Sequence, residues 1–262
     1  MVRHRPEGWW ALALPLGLFL LLPLLALLLY SSPAELRINL ARPDVRQAVA
    51  LSLWTSTAAT LLAVLLGTPA AYLLARRQFT GRLLLDNLID LPIVLPPAVS
   101  GLALLLVFGR RGWVGAPLDA LGLRITFTEV AVVLAQTFIA VSLYVRAAAV
   151  GFAAVEPELE DAAAIDGATP WQVFRRVTVP LARRGLLTGV ALAWARALGE
   201  FGATIIFAGN FPGRTQTMPL AIYLGFELEL GVAVALSVIL VGLSFLILLV
   251  IRLGLERGEN EA

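Results

Sequence analysis

Long apolar runs without a charged side chain, separated by short arginine-bearing segments, most narrow what this chain can fold into. Residues 9–30 and 47–75 contain no Asp, Glu, Lys or Arg. A helix that crosses ~30 Å of hydrocarbon needs about 20 mostly apolar residues. Lipid offers no partner to backbone N–H and C=O groups, so a spanning segment must satisfy them within itself. Six runs fit this requirement: 9–30, 47–75, 91–108, 130–150, 186–208 and 231–251. With a mean hydropathy of +0.86 and only 15% charged residues, they predict an all-α polytopic membrane protein of six transmembrane helices. Short tails, 1–8 and 252–262, flank this transmembrane unit, and a polar loop over 153–185 interrupts it.

Arginine in the short loops sets the orientation. With the N-terminus inside, twelve arginines fall in inner segments and seven in outer ones. Arg175, Arg176, Arg183 and Arg184 flank one loop and place it firmly in the cytoplasm. Both termini are then cytoplasmic, in a multi-pass protein of the inner membrane. Arg3 and Arg5 before the first run resemble the start of a signal peptide. The run is longer than the roughly 7–15 apolar residues of such a signal, which reads as a retained anchor.

The composition also removes chemistry. All 20 basic residues are arginine, and there is no cysteine. A phosphate-binding loop of the Gly-Lys-Ser/Thr type, a lysine Schiff base and a thiol nucleophile are excluded. The one histidine, His4, lies in the N-terminal tail, which leaves no histidine triad or histidine metal site in the membrane part. No catalytic residue and no metal site is expected, and a net charge of +2 carries no nucleic-acid reading. If ATP drives this protein, another chain hydrolyses it.

Residues 161–180, DAAAIDGATPWQVFRRVTVP, break the apolar pattern. Pro157 suits the first position of a helix, where a missing N–H costs nothing. Glu156, Glu158, Glu160 and Asp161 crowd its first turns, where the helix dipole favours anions. Gly167 suits a left-handed closing residue. Thr169-Pro170-Trp171-Gln172 opens a second helix as a capping box, Trp171, Phe174 and Val177 give it an apolar stripe, and Pro180 is expected to stop it. Ala162, Ala163 and Ala164 would let another surface approach closely. On these grounds alone, an amphipathic connector lying on the membrane and a docking helix for a partner stand equal.

The stretch resembles the cytoplasmic loop of ATP-binding-cassette importer permeases: Glu-Ala-Ala, three residues, Gly, nine residues, then Ile-x-Leu-Pro. Here the pattern falls on Asp161-Ala162-Ala163, Gly167 and Val177-Thr178-Val179-Pro180, with every spacing kept. Asp replaces Glu, and Val replaces Ile and Leu. The resemblance implies a type I importer permease whose loop, including Glu160, Asp161, Ala162, Ala163, Gly167, Ala168 and Pro180, seats in a separate ATPase subunit. LPIVLPPAVSGLAL (91–104), FGRRGWVG (108–115) and ALGEFGATIIFAGNFPGRTQTMPLAIY (197–223) are similar to molybdate importer permeases. Sulfate permeases share a related version, which fits Gly199–Thr204 and Pro212–Thr217 less well. The implied partners are a dimer of ATPase subunits holding ATP and Mg, an extracytoplasmic oxyanion-binding protein, a second copy of this chain and the lipid bilayer. This chain itself would bind no cofactor.

Within the fifth run, Glu200 is an acid where an ionised carboxylate is expensive and usually faces a bundle interior or a water-filled cavity. Arg196, four residues earlier, shares its helix face and is positioned to pair with it. Gly199 and Gly202 allow close helix approach. Two readings follow: an ion pair that only permits packing, or a face that lines or gates a pathway through Arg196, Gly199, Glu200, Gly202 and Thr204. A carboxylate is a poor anion ligand, so Thr204 and Thr217 are better placed than Glu200 to meet an oxyanion. Pro92, Pro96 and Pro97 should kink the start of the third run. An autonomous channel or secondary carrier is the rival class, but no internal repeat and no set of buried acids favours it.

Overall fold

The structure, a computed structural model, describes residues 9–257. Every regular element among them is helical. The tail expected over 1–8 and residues 258–262 lie outside the described residues. Four helices are long and apolar enough to cross a membrane unaided: Ala13–Tyr30, Pro43–Arg76, Glu129–Ala153 and Leu230–Leu249. They belong to α1 (Trp9–Tyr30), α3 (Pro43–Arg76), α7 (Glu129–Ala153) and α14 (Leu230–Arg257). α14 therefore runs on through part of the segment expected as a tail.

Two of the six expected spans are not single helices. The run 91–108 is split between α4 (Arg82–Val94) and α5 (Pro97–Phe108), which meet at 116°. The cause is local. Proline disfavours helical backbone in the preceding residue, and with Pro96 and Pro97 in sequence both Leu95 (ψ 136°) and Pro96 (ψ 133°) turn extended. Pro92, which has no such successor, is carried inside α4 and buried there. The run 186–208 divides into α11 (Arg183–Leu198) and α12 (Gly202–Phe207), and two short helices not anticipated as elements, α2 (Pro33–Ala41) and α13 (Met218–Leu228), join the long ones. A further short helix, α6 (Gly115–Ala120), follows α5.

α3, α7 and α11 form the centre. Their shared core is built of small residues: Ala59, Ala63 and Ala71 from α3, Ala140 and Ala148 from α7, Ala193 and Ala197 from α11, filled in by Tyr144 and Phe152. In lipid the hydrophobic effect does not drive helices together, so close backbone packing has to. The tightest point is the crossing of Gly151 and Gly185, where a Cβ added to Gly151 would stand 2.8 Å from the Cα of Gly185. A second core joins α7 to α5 and α12 through Val132, Ala135, Ile139, Leu104, Ala203 and Phe207. The outer surface is apolar instead, with Leu61, Leu65, Leu106, Val150 and Phe226 exposed, as a bilayer-facing surface should be.

Charged clamps tie the helix ends. Arg146 of α7 donates from Nε to Asp90 Oδ1 and from Nη1 to Asp86 Oδ1, both at 2.6 Å, and fastens α4 to the bundle. At the end of α3 that carries Pro43, Arg42 pairs with Glu229 between α13 and α14 and with Asp44. The two carboxylates, Glu229 foremost, raise the guanidinium pKa and keep it charged.

Candidate functional site

The polar loop is a compact two-helix unit. α8 (Pro157–Ile165) starts with Pro157 in its first turn and Glu158 and Glu160 nearby. It closes on Gly167, whose φ of +87° lies in the left-handed region that side chains avoid. The Gly167 and Ala168 N–H groups then donate back to Ala164 and Ala163 carbonyls at 3.0 Å each, the signature of a Schellman-type end. The capping box forms: Gln172 N–H donates to Thr169 Oγ1 and Thr169 N–H to Gln172 Oε1, opening α9 (Pro170–Val173).

Pro180 does not stop that helix. The chain stays helical from Pro170 to Leu181, through a wide π turn over Phe174–Thr178 and then α10 (Val179–Leu181). Proline in a helix collides with the carbonyl four residues back, and the widened turn just before Pro180 makes room for the ring. Of the stripe Trp171, Phe174 and Val177, the last two are half-buried: Phe174 packs edge-on against Tyr72 of α3, whereas Trp171 stacks on Phe174 and stays exposed.

Of the residues singled out in this loop, Asp161, Ala162, Gly167 and Pro180 are exposed, and Ala163 and Ala168 are half-buried. Glu160 turns the other way. Its Oε1 accepts from Thr178 Oγ1 and lies 3.2 Å from Nη2 of Arg76, in the last turn of α3. The same Arg76 nitrogen donates to the Val155 carbonyl at 2.9 Å. The loop is thus bolted to a membrane helix on one side and presents its Asp-Ala-Ala face on the other.

The second group lies at the break between α11 and α12. Arg196 Nη1 stands 2.7 Å from Glu200 Oε2, four residues on, although α11 has ended at Leu198. Glu200 is 1% exposed, and its Oε1 accepts the Ala203 N–H at 2.9 Å. That carboxylate offers the backbone a partner outside the helical ladder, which is why the run breaks here and restarts as α12. Gly199 is exposed at the break, and Gly202 backs onto Pro97, where an added Cβ would come within 2.6 Å of the proline Cβ. Thr204 and Thr217 are fully buried, and their hydroxyls have no hydrogen-bond partner.

Sequence reasoning passed over Arg76, Gln136 and the Arg146 clamp. The clamp had a signal: Asp86 and Asp90 are four apart on an apolar helix and so share one face. Arg76 had none, since its partner Glu160 lies on another helix, and the Gln136 side chain has no hydrogen-bond partner at all. No group of His, Asp and Glu suited to a metal ion occurs among the described residues.

Residues 63–254 match the family model described as binding-protein-dependent transport system inner membrane component. The chain belongs to that family. Among curated relatives it is 44% identical over 233 residues to the molybdenum transport system permease protein ModB of Mycobacterium tuberculosis, covering 88% of each chain. It is 37% identical to the sulfate transport system permease protein CysW of Synechococcus elongatus over 83% of this chain and 76% of the relative. Its fold resembles a crystal structure of a bacterial transporter that imports the acidic polysaccharide alginate, with a TM-score of 0.73 over 97% of this chain and 96% of that one at 16% identity. The helical architecture, with its bent and broken spans, is that of an importer permease embedded in the membrane.

Proposed function

We propose that this chain is the permease subunit of an ATP-driven importer for a tetrahedral oxyanion, with molybdate as substrate and tungstate alongside it. The similarity at 44% identity to a molybdenum permease, higher than the 37% to a sulfate permease, carries this choice of anion. Sulfate is the alternative. Two ATPase subunits holding ATP and Mg would seat on the 153–185 loop at the exposed Asp161 and Ala162 beside the half-buried Ala163, and an oxyanion-binding protein would deliver substrate from the other side. A second copy of the chain would complete the pathway around a two-fold axis. This subunit would do no chemistry, with both termini in the cytoplasm.

The rigid tie from the loop through Arg76 to α3, and the small-residue packing of α3, α7 and α11, support a mechanical role. Closure of the ATPase dimer on ATP would draw the two loops together and turn the membrane helices with them. Such a device is a two-state equilibrium biased by ligands. The break at Gly199–Phe201, with Arg196, Glu200, Gly202 and Thr204 around it, is the part of the fold suited to gate the path.

The test is ATPase activity of the reconstituted complex with its binding protein, in molybdate and in sulfate. Stimulation by molybdate alone supports the reading. Stimulation by sulfate alone keeps the importer and overturns the anion. Failure of folded components to assemble with an ATPase overturns the coupling role.

A further inference from the structure

Gln136 of α7 is fully buried, and neither its amide nitrogen nor its amide oxygen has a hydrogen-bond partner. A buried, unpaired amide costs on the order of 1–3 kcal/mol, so it needs a reason. The packing of α7 against α11 supplies one. The two helices run antiparallel: Gly151 meets Gly185, and Gly189 lies against Ala147 and Tyr144. Eleven residues separate Ala147 from Gln136, and eleven separate Gly189 from Glu200. Counted up both helices at about 1.5 Å per residue, Gln136 comes level with Glu200, just past the end of α11.

The two groups are complementary. Glu200 Oε2 lies within ion-pair range of Arg196 yet accepts no well-aligned hydrogen bond. The Gln136 amide has two hydrogens and nothing to give them to. Two more buried hydroxyls without partners, Ser100 of α5 and Thr204 of α12, belong to the same junction, since Gly101 packs directly on Ala203. Unmet polar capacity is concentrated where the fifth span is broken and the third span is bent.

We propose that Gln136 is the alternate partner of Glu200. In the state described here, Arg196 and the Ala203 N–H hold the carboxylate. In the second state of the transport cycle, the Gln136 amide donates to Glu200, and the break between α11 and α12 changes course with it. Gln136 is a positioning residue acting through Glu200, in a latch with two discrete hydrogen-bonded arrangements. The proposal rests on the reading of the chain as a permease.

The experiment compares Gln136→Leu, Glu200→Leu and the double variant in the full reconstituted complex, reading molybdate imported per ATP hydrolysed, with thermal unfolding of each protein alongside. The latch predicts that Gln136→Leu lowers that ratio about tenfold with no loss of thermal stability, because it removes an unpaired buried amide. It also predicts that adding Gln136→Leu to Glu200→Leu, which leaves no acceptor at that position, changes the ratio no further. Wild-type coupling in Gln136→Leu, or effects of the two substitutions that multiply, overturns the latch. If Gln136→Leu fails to fold, Gln136→Met replaces it under the same criteria. A wild-type complex that no oxyanion stimulates would instead defeat the permease reading and leave the latch without a cycle to serve.

Discussion

Arg76 at the end of α3 and Glu160 in the first turn of α8 stand 3.2 Å apart, with side chains only 12% and 16% exposed. One guanidinium joins a membrane helix, the Val155 carbonyl and the polar loop. Replacing Arg76 by Met leaves Glu160 and that carbonyl short of a donor. The expected loss is about 1–3 kcal/mol, with faster amide hydrogen exchange over residues 155–180. Exchange as slow as in the unmodified protein would show that the tie does not hold the loop. Glu160→Gln, whose side-chain oxygen can still accept from Thr178, should do less damage.

The crossing of α7 and α11 leaves no space for a side chain at Gly151, because what a Cβ would meet is the backbone of Gly185. Gly151→Ala should force the helices apart and cost about 1–3 kcal/mol, read as a lower unfolding temperature in detergent. Gly242→Ala is the control: nothing lies within 4 Å of a Cβ there, and better helix propensity should leave stability equal or higher.

Gly167 closes α8 with φ +87° and open space around it. Alanine would fit sterically but strain the backbone, at about 1–2 kcal/mol. We expect Gly167→Ala to leave the membrane bundle folded and to reduce oxyanion-stimulated ATPase activity several-fold, whereas Gly167→Asn, which tolerates this conformation, keeps most of it. Equal activity in both variants would show that the geometry of the turn does not matter to coupling.

Arg146 reaches two carboxylates one helical turn apart with separate nitrogens. Lysine offers a single point charge and cannot span both. Arg146→Lys should therefore release α4 almost as much as Arg146→Gln does, measured by the mobility of a spin label at the exposed Leu84. Full retention of α4 by lysine would mean that charge alone suffices.

Features that depend on a few neighbouring residues were legible beforehand. The Schellman-type end at Gly167 and the capping box at Thr169 are local hydrogen-bond patterns, complete within six residues. The bend at Leu95–Pro97 was half legible: three prolines announced a kink, but 116° between the two halves did not follow from them. The break at Gly199–Phe201 was not foreseen, because Gly-Glu-Phe-Gly inside an apolar run reads as a helix with one acid in it.

By itself, the sequence determined the class of molecule and the design of its polar loop. Uncharged runs of membrane length leave a chain little choice but helices in lipid, and capping chemistry acts over a single turn. Only the tertiary structure decided which polar groups meet. Arg76 finds Glu160 eighty-four positions away, and Arg146 reaches across to Asp86 and Asp90 on another helix. Such pairings depend on how long helices cross, and a crossing is the sum of contacts along the whole interface rather than a property of any short stretch of chain.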